Sequence, residues 1–206
     1  MLDPLINPRS APAPEGTPHA LPDLLLVERV RGADARALEA LAQRYAQRLF
    51  RIARSMLGEE AAAESAVLEV YGAAFDELKR HEPAGKFPVW LMRLALAHLH
   101  TRREARHGAA RSAPVYRHPL EPAIDALPEV FRTVFVLRVV EGISGTETAA
   151  ALGLNVTTVR TRLYRAHRRL SGGVTLQAAQ GVFELDGARA GRIVTEVLAR
   201  QRTRDA

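Results

Sequence analysis

Five arginines stand close together along a predicted helix, at positions 160, 162, 165, 168 and 169. A guanidinium is planar, always charged and rich in donors, so it suits phosphate oxygens and guanine edges better than it suits catalysis. Short hydroxyls precede and interleave with these arginines at positions 157, 158 and 161, where they could approach base edges or phosphates. The residue types and their spacing therefore predict contact with DNA.

The residues just before this helix predict a tight turn between two helices. Ser144 and Glu147 stand at capping-box spacing, which favours the start of a helix. Gly153 can adopt the left-handed conformation that ends helices, and Leu154 is expected to plug the core. Asn155 is a good N-cap for a second helix. These signals together indicate a helix-turn-helix.

The apolar spacing within the second helix determines which side chains face outward. Val159, Leu163, Ala166 and Leu170 recur at helical spacing and should form its buried face. The opposite face would enter the major groove as a recognition helix, with individual arginines left open between base and phosphate contacts. The predicted DNA-binding residues of this face are Thr157, Thr158, Arg160, Thr161, Arg162, Arg165, Arg168 and Arg169.

The segment that contains this motif resembles region 4 of bacterial sigma factors of the extracytoplasmic-function (ECF) type. It reads LPEVFRTVFVLRVVEGISGTETAAALGLNVTTVRTRLYRAHRRL from Leu127 to Leu170. The LP opening, the LR pair, the EGIS stretch and the VRTRL run all fit that family's pattern. The resemblance implies that this part of the chain reads a promoter −35 element. One departure is Thr148, where the family usually has an aliphatic residue, and it is expected to loosen the first helix slightly.

Residues 23–106 resemble sigma region 2 in order and length. Apolar residues recur at helical spacing from Ala35 to Leu57 and predict one amphipathic helix that ends at Gly58. Two further helices are expected around positions 67–78 and from about Pro88 onward, with Trp90 in the core. Three such helices joined by short turns can bury one core.

In the ECF family, one surface of region 2 docks on the clamp helices of the RNA polymerase beta-prime subunit. The docking pattern, roughly DxEDLVQExF, corresponds here to AAESAVLEVY at positions 62–71. Ser65 and Leu68 replace the second acid and the glutamine, so polymerase docking is expected to be weaker or altered. The resemblance gives as polymerase-binding residues Glu64, Ser65, Leu68, Glu69 and Tyr71.

The other function of region 2 in the family is to open and read the −10 element as a single strand. The HEPAGKF segment at positions 81–87 resembles the family's specificity loop, which could hold a flipped base. Downstream, His98 and Thr101 stand where the family usually has asparagine and aspartate. The region 2 residues expected to contact DNA are Lys86, Phe87, Arg93, His98, Arg102 and Arg103.

Three further segments complete the predicted organisation. Proline-rich residues 1–22 are expected to form a disordered leader, and residues 107–124 a linker between the region 2 block and region 4 at 125–171. Residues 172–206 form a C-terminal extension, in which a helix from Ala188 to Gln201 should place an apolar stripe on one face. That stripe must be buried against region 4, against region 2 or in a partner, and a regulatory role for it stays open.

Composition agrees with a polyanionic partner. The chain of 206 residues carries a formal charge of +6, and its sequence pI is about 10.4. No cysteine is present, which excludes disulfides and thiolate catalysis. We find no phosphate-binding loop, nucleophile elbow or metal motif, so no catalytic residue, metal or cofactor is expected. With no apolar run near the ~20 residues of a membrane span, the chain is expected to be soluble and cytoplasmic.

The sequence therefore predicts an all-α chain of two small helical domains, a region 2 bundle and a region 4 helix-turn-helix, with a flexible linker and a C-terminal helical extension. The expected function is that of an ECF sigma factor, which binds core RNA polymerase through the beta-prime clamp helices and beta flap and directs it to promoter DNA. An anti-sigma factor stays open as a further partner. The alternative is a stand-alone helix-turn-helix regulator that has lost polymerase docking.

Overall fold

The computed structural model of the chain describes residues 21–105, 113–170, 178–179 and 181–205. Nearly all of the predicted leader, residues 1–20, lies outside the described residues, as do parts of the predicted linker and of the C-terminal extension. The described residues form helices and turns with no strand, which confirms the all-α prediction.

Four helices make up the region 2 block. They are α1 (Asp23–Arg31), α2 (Ala35–Leu57), α3 (Glu60–Arg80) and α4 (Phe87–Ala105). The bounds of α2 are those predicted from the apolar spacing. The Asp34 carboxylate caps its start by accepting from the backbone N–H of Arg36 at 2.9 Å and of Ala37 at 3.3 Å. Gly58 ends it in the left-handed conformation, with φ of 80°.

Aromatic residues fill the centre of this bundle. Trp90 is buried as predicted and contacts Phe87, which in turn meets the Tyr45 ring edge-on. The Tyr71 side chain is wholly enclosed between helices, and its hydroxyl donates to the Ala42 carbonyl at 2.7 Å. The expectations that Phe87 contacts DNA and that Tyr71 contacts polymerase are therefore corrected, because both side chains are part of the core.

The region 4 block begins earlier than the sequence indicated. A short helix, α5 (Glu121–Asp125), occupies the end of the segment predicted to be linker, and its Ile124 is fully buried. Helix α6 (Glu129–Phe135) follows and continues into a π-helical turn (Val136–Val140). The helix-turn-helix proper consists of α7 (Gly145–Leu152) and α8 (Val156–Arg169).

The C-terminal extension contains α9 (Gly187–Asp205), slightly longer than predicted. Three residues of its apolar stripe, Ile193, Val194 and Val197, are buried in the region 2 core. Helix α9 packs against α2 and α3. Of the places that the sequence left open for this stripe, the structure therefore selects region 2 of the same chain.

The two blocks also pack against one another through α2. The Glu141 carboxylate, just after the π turn, accepts from Arg48 at 3.0 Å and from Arg51 at 3.2 Å, and its side chain is only 5% exposed. Helix α4 packs along α7, and region 4 residues such as Leu137 and Ile143 belong to the same apolar cluster as α2. Region 2, region 4 and the C-terminal segment thus form one packed unit in this structure.

Candidate nucleic-acid interface

The helix-turn-helix has the end caps that the sequence predicted. The Ser144 hydroxyl oxygen accepts from the Glu147 backbone N–H at 3.2 Å, and the hydroxyl donates to the Glu147 carboxylate at 2.7 Å. Gly153 ends α7 with φ of 63°. The Asn155 side-chain oxygen then accepts from the Thr158 N–H at 2.6 Å and starts α8. These local bonds determine the angle at which α8 leaves the turn.

The buried face of α8 packs against an apolar patch. Val159 packs with Val134 of α6 and Ala149 of α7, while Leu163 is half-buried beside them. Further along, Ala166 is fully buried, and the His167 ring meets the Phe135 ring edge-on at 5.7 Å. The buried face of α8 is thus the one predicted, so the opposite face is turned outward.

Most of the predicted recognition residues lie on that outward face, and two are partly covered. Arg162 and Thr158 are half-buried. The exposed members of the set are Thr157, Arg160, Thr161, Arg165, Arg168 and Arg169. Tyr164, which is not among the predicted residues, is 62% exposed between Arg160 and Arg168. Tyr164 lies four residues from each of these two arginines, and this spacing, which places it on the same helix face, could have identified it from the sequence. Its ring adds an aromatic surface to that face.

The outward face of α8 carries uncompensated positive charge. Among the described residues, no carboxylate lies within ion-pair distance of Arg160, Arg165 or Arg168, whereas most arginines of α2 and α4 are paired. Arg169 differs, since its guanidinium lies over the Phe131 ring at 5.6 Å. Unpaired guanidiniums on an exposed helix face attract phosphates without first breaking an internal bond.

The predicted DNA-contacting residues of region 2 have mixed surroundings. Lys86 and Arg93 are exposed, and the Lys86 ammonium lies 3.7 Å from the Glu147 carboxylate of α7. Arg103 forms an ion pair with Glu129 of α6. Arg93 lines a cleft of about 460 Å³ together with Arg162 of α8. The predicted promoter-contacting helices of the two blocks therefore face one another across this cleft.

His98 and Arg102 contact residues that the sequence assigned to polymerase. The His98 Nε2 atom lies 2.9 Å from the Glu69 carboxylate, which also accepts from Arg102. Arg102 donates a further hydrogen bond to the Ser65 hydroxyl at 3.1 Å. The hydrogen bond from Arg102, helped by the one from His98, lowers the pKa of Glu69 against the opposing effect of burial. The structure thus joins the two predicted sets into one polar cluster between α3 and α4.

The remaining predicted polymerase residues face α9. The Glu64 carboxylate accepts from the Arg189 guanidinium at 2.6 Å, and half-buried Leu68 lines the adjoining groove with Ile193. Arg189 is itself only 8% exposed. Arg189 was not predicted as a functional residue, because nothing in the local pattern distinguishes it from other arginines of the tail.

The chain is similar to known transcription proteins. Residues 117–170 match the family model described as "Sigma-70, region 4". The chain is 28% identical over 154 residues to the ECF RNA polymerase sigma factor SigE of Mycolicibacterium smegmatis, covering 64% of this chain and 59% of SigE. It is 27% identical over 176 residues to the RNA polymerase sigma-H factor of Pseudomonas aeruginosa, covering 72% of this chain and 91% of that protein. The chain thus spans less than two thirds of the length of SigE.

Solved structures extend the likeness. The fold is similar to that of CnrH in complex with the cytosolic domain of CnrY, with a TM-score of 0.59 and 31% identity over 72% of this chain and 94% of CnrH. The sigma factor RpoE from Bartonella quintana, solved in complex with the anti-sigma factor NepR, shares the fold at a TM-score of 0.50 and 20% identity, covering 71% of this chain and 90% of RpoE.

These similarities weigh against the stand-alone regulator. That alternative is a regulator with degenerate polymerase docking, and one that was related to sigma factors through its helix-turn-helix alone would resemble them over region 4 only. The alignments with two sigma factors instead cover 154 and 176 residues, well beyond the region 4 match. With the paired caps of α7 and α8 and the all-helical fold, they show that the chain belongs to the ECF group of the sigma-70 family.

Proposed function

We propose that the chain is a sigma factor that binds core RNA polymerase and directs it to a subset of promoters. Region 4 reads the −35 element with α8 in the major groove, and region 2 docks on polymerase and opens the −10 element. Its site of action is the cytoplasm, where polymerase and chromosome meet. The proposal assigns no catalysis to the chain itself.

The observation that carries the proposal is the outward face of α8. Arg160, Arg165 and Arg168 are exposed and have no ion pair among the described residues. Three independent local features hold the helix in register, namely the Ser144 cap, the left-handed Gly153 and the Asn155 cap. A preorganised helix loses little conformational entropy when it enters a groove. Direct bidentate contacts from such arginines are worth about 1–3 kcal/mol each in base discrimination.

The helix proposed to bind polymerase is α3. Glu64 and Glu69 keep two acidic positions of the family's docking pattern, and both side chains are partly accessible. Ser65 replaces an acid and carries no charge, while Leu68 offers an apolar contact where the family has an amide. We propose that α3 contacts polymerase with a smaller electrostatic and a larger apolar contribution than the family pattern implies.

The test combines binding and initiation. Purified chain is run on gel filtration with sigma-free bacterial core RNA polymerase, and the complex is then assayed for abortive initiation on a promoter pool. The double variant Arg160→Ala/Arg165→Ala removes two charges from α8. The matched control Arg29→Ala/Arg36→Ala removes two charges from exposed sites of region 2 that have no ion pair among the described residues.

A sigma factor gives a distinct set of results. Wild-type and control chains co-elute with polymerase and initiate at the same promoters. The α8 variant co-elutes but loses promoter-specific initiation. Failure of the wild-type chain to co-elute contradicts polymerase binding, and unchanged initiation by the α8 variant contradicts the assignment of α8 as the reader of the −35 element.

A further inference from the structure

The C-terminal segment covers part of the α3 surface that binds polymerase under the proposed function. Helix α9 lies against α3 and buries Ile193, Val194 and Val197 there and against α2. Leu68 and Glu64, both expected to contact polymerase, line one groove with α9. A polymerase helix that approached this part of α3 would meet α9 first.

A buried arginine anchors α9 at its N-terminal end. The Arg189 guanidinium donates to the Glu64 carboxylate at 2.6 Å and to the Glu60 carboxylate at 2.8 Å, and it lies 5.2 Å from the centre of the Phe50 ring. Both carboxylates are on α3. Because charge-assisted bonds of this kind are directional and stronger than neutral ones, Glu64 is occupied by an internal cation while α9 is docked.

The other end of α9 meets a glycine in the middle of α3. A Cβ atom at Gly72 would lie 2.9 Å from the Arg204 guanidinium, which also donates to the Asp76 carboxylate at 2.7 Å. The Arg204 guanidinium therefore lies directly over α3 at Gly72, so this end of α9 is also held close to α3.

The turn before α9 connects the same segment to region 4. The Gln47 side chain of α2 donates to the Phe183 carbonyl at 3.2 Å and accepts from the Leu185 N–H at 2.9 Å. The Phe183 N–H donates to the buried Glu121 carboxylate of α5 at 3.0 Å. Residues on both sides of the block boundary therefore hold this turn.

We propose that residues 181–205 are an internal competitor of core RNA polymerase for α3, and that their release also removes the Phe183 contacts that join region 2 to region 4. The inference rests on the proposed function. Promoter positions −35 and −10 lie roughly 25 base pairs apart, about 85 Å along B-DNA. Arg93 and Arg162 instead line one cleft here, so the blocks have to separate before both elements are read. Polymerase that displaces residues 181–205 removes the contacts of Phe183 with Gln47 and Glu121, which are part of the contacts between the blocks. The direct pairs of Glu141 with Arg48 and Arg51 must break as well.

The absence of cysteine from the chain permits a direct test of this competition. Cysteines are introduced as Gly72→Cys and Arg204→Cys, and a bismaleimide with a reducible central disulfide links them. Shortening Arg204 leaves space for the new side chain at position 72. The control pair, Glu196→Cys and Arg200→Cys, lies one turn apart on α9 and joins α9 only to itself. Binding to core polymerase is measured before linking, after linking and after reduction.

If α9 and polymerase compete for α3, the α3–α9 link should weaken polymerase binding about tenfold or more. The reason is that the link lowers the fraction of chain molecules in which α9 has left α3 and polymerase can bind. Reduction of the linker restores binding, and the control link changes it little. Equal binding before and after the α3–α9 link overturns the inference while the sigma assignment stands. If no form of the chain binds polymerase, the proposed function fails, and the inference fails with it.

A single substitution tests the same competition without a linker. Arg189→Gln removes the internal cation from Glu64, and Arg200→Gln is the control, since its only ion pair among the described residues is with Glu196 on α9 itself. We expect Arg189→Gln to raise polymerase affinity about fivefold or more and to speed amide hydrogen exchange in α9, while the melting transition stays cooperative. Weaker polymerase binding by this variant would mean that Arg189 belongs to the polymerase-contacting surface, which overturns the inference.

Discussion

The guanidinium of Arg54 in α2 donates to the carboxylate of Asp125 in α5 at 3.1 Å, with only 2% of the Arg54 side chain exposed. Arg132 approaches the other oxygen of Asp125 at 3.5 Å, and the Phe183 ring lies 4.9 Å from the Arg54 guanidinium. Region 2, region 4 and the C-terminal segment thus meet at one buried cation. Burial, the main influence, lowers the pKa of Arg132, and the charge of Arg54 acts in the same direction.

Removal of the charge of Asp125 should therefore be costly. Asp125→Asn keeps the shape of the side chain but leaves two guanidiniums without their carboxylate. Loss of one partner from a buried pair costs about 3–5 kcal/mol, so we expect a loss of unfolding free energy in this range. Urea denaturation followed by circular dichroism measures it. The control Glu82→Gln breaks the exposed pair with Arg31 and should change stability little. Equal effects of the two substitutions would contradict a special role for the buried pair.

Substitution of Thr148 is expected to raise the free energy of unfolding instead of lowering it. Its side chain is fully buried in α7, and its hydroxyl has no hydrogen-bond partner among the described residues. An unsatisfied buried hydroxyl costs about 1–3 kcal/mol, and valine has nearly the same shape. Thr148→Val should therefore stabilise the chain by about 1 kcal/mol or more. Differential scanning calorimetry tests this. Thr195→Val at an exposed position of α9 is the control, and a lower melting temperature for Thr148→Val would show that the hydroxyl is satisfied.

The polar cluster around Glu69 makes stability depend on pH. The hydrogen bond from Arg102 lowers the pKa of Glu69 below its ordinary value of 4.5. A carboxylate with a lowered pKa stabilises the folded state above its unfolded pKa, and this contribution is lost as the pH falls through the folded value. The wild-type chain should thus be more stable than Glu69→Gln near neutral pH, and the difference should shrink below about pH 4.5.

Denaturation of both proteins across this pH range tests the prediction. The exposed Glu28, which has no ion pair among the described residues, gives the matched control Glu28→Gln. A difference between wild type and Glu69→Gln that stayed constant with pH would assign the effect to packing rather than to the charge of Glu69.

The helix ends show what could be read from the sequence. The bounds of α2, the caps at Ser144 and Asn155 and the left-handed turn at Gly153 are confirmed. Each depends on bonds between residues no more than four apart, so a local pattern specifies it completely. The apolar stripe of α9 was visible for the same reason.

Contacts between distant parts of the chain could not be read in this way. Arg189 bonds to residues 125 and 129 positions earlier, and no local pattern indicates which carboxylates it meets. Phe87 and Tyr71 were expected on contact surfaces because the resemblance assigned them there, yet helix packing places both in the core. The short helix α5 was missed because Pro114, Pro119 and Pro122 made the whole segment resemble a linker.

The arrangement of α8 predicts different effects for its individual arginines on DNA binding. Arg160 and Thr157 lie in the first turns of the helix, which enter the groove most deeply, whereas Arg168 lies near the end. Arg160→Ala should cost about 1–3 kcal/mol on the preferred promoter and relax one base position. Arg168→Ala should weaken binding to all promoter sequences equally. It should also reduce the slope of log affinity against log salt concentration by about the amount expected for one phosphate contact.

Binding of the polymerase complex to a set of −35 variants at several salt concentrations separates these two effects. Tyr164→Ala should weaken binding without changing the salt dependence, because it removes contact area but no charge. If Arg160→Ala and Arg168→Ala gave the same uniform loss, both arginines would contact phosphates only. The choice of the −35 sequence would then have to come from other side chains on the outward face of α8, of which Thr157, Thr161 and Arg165 are exposed.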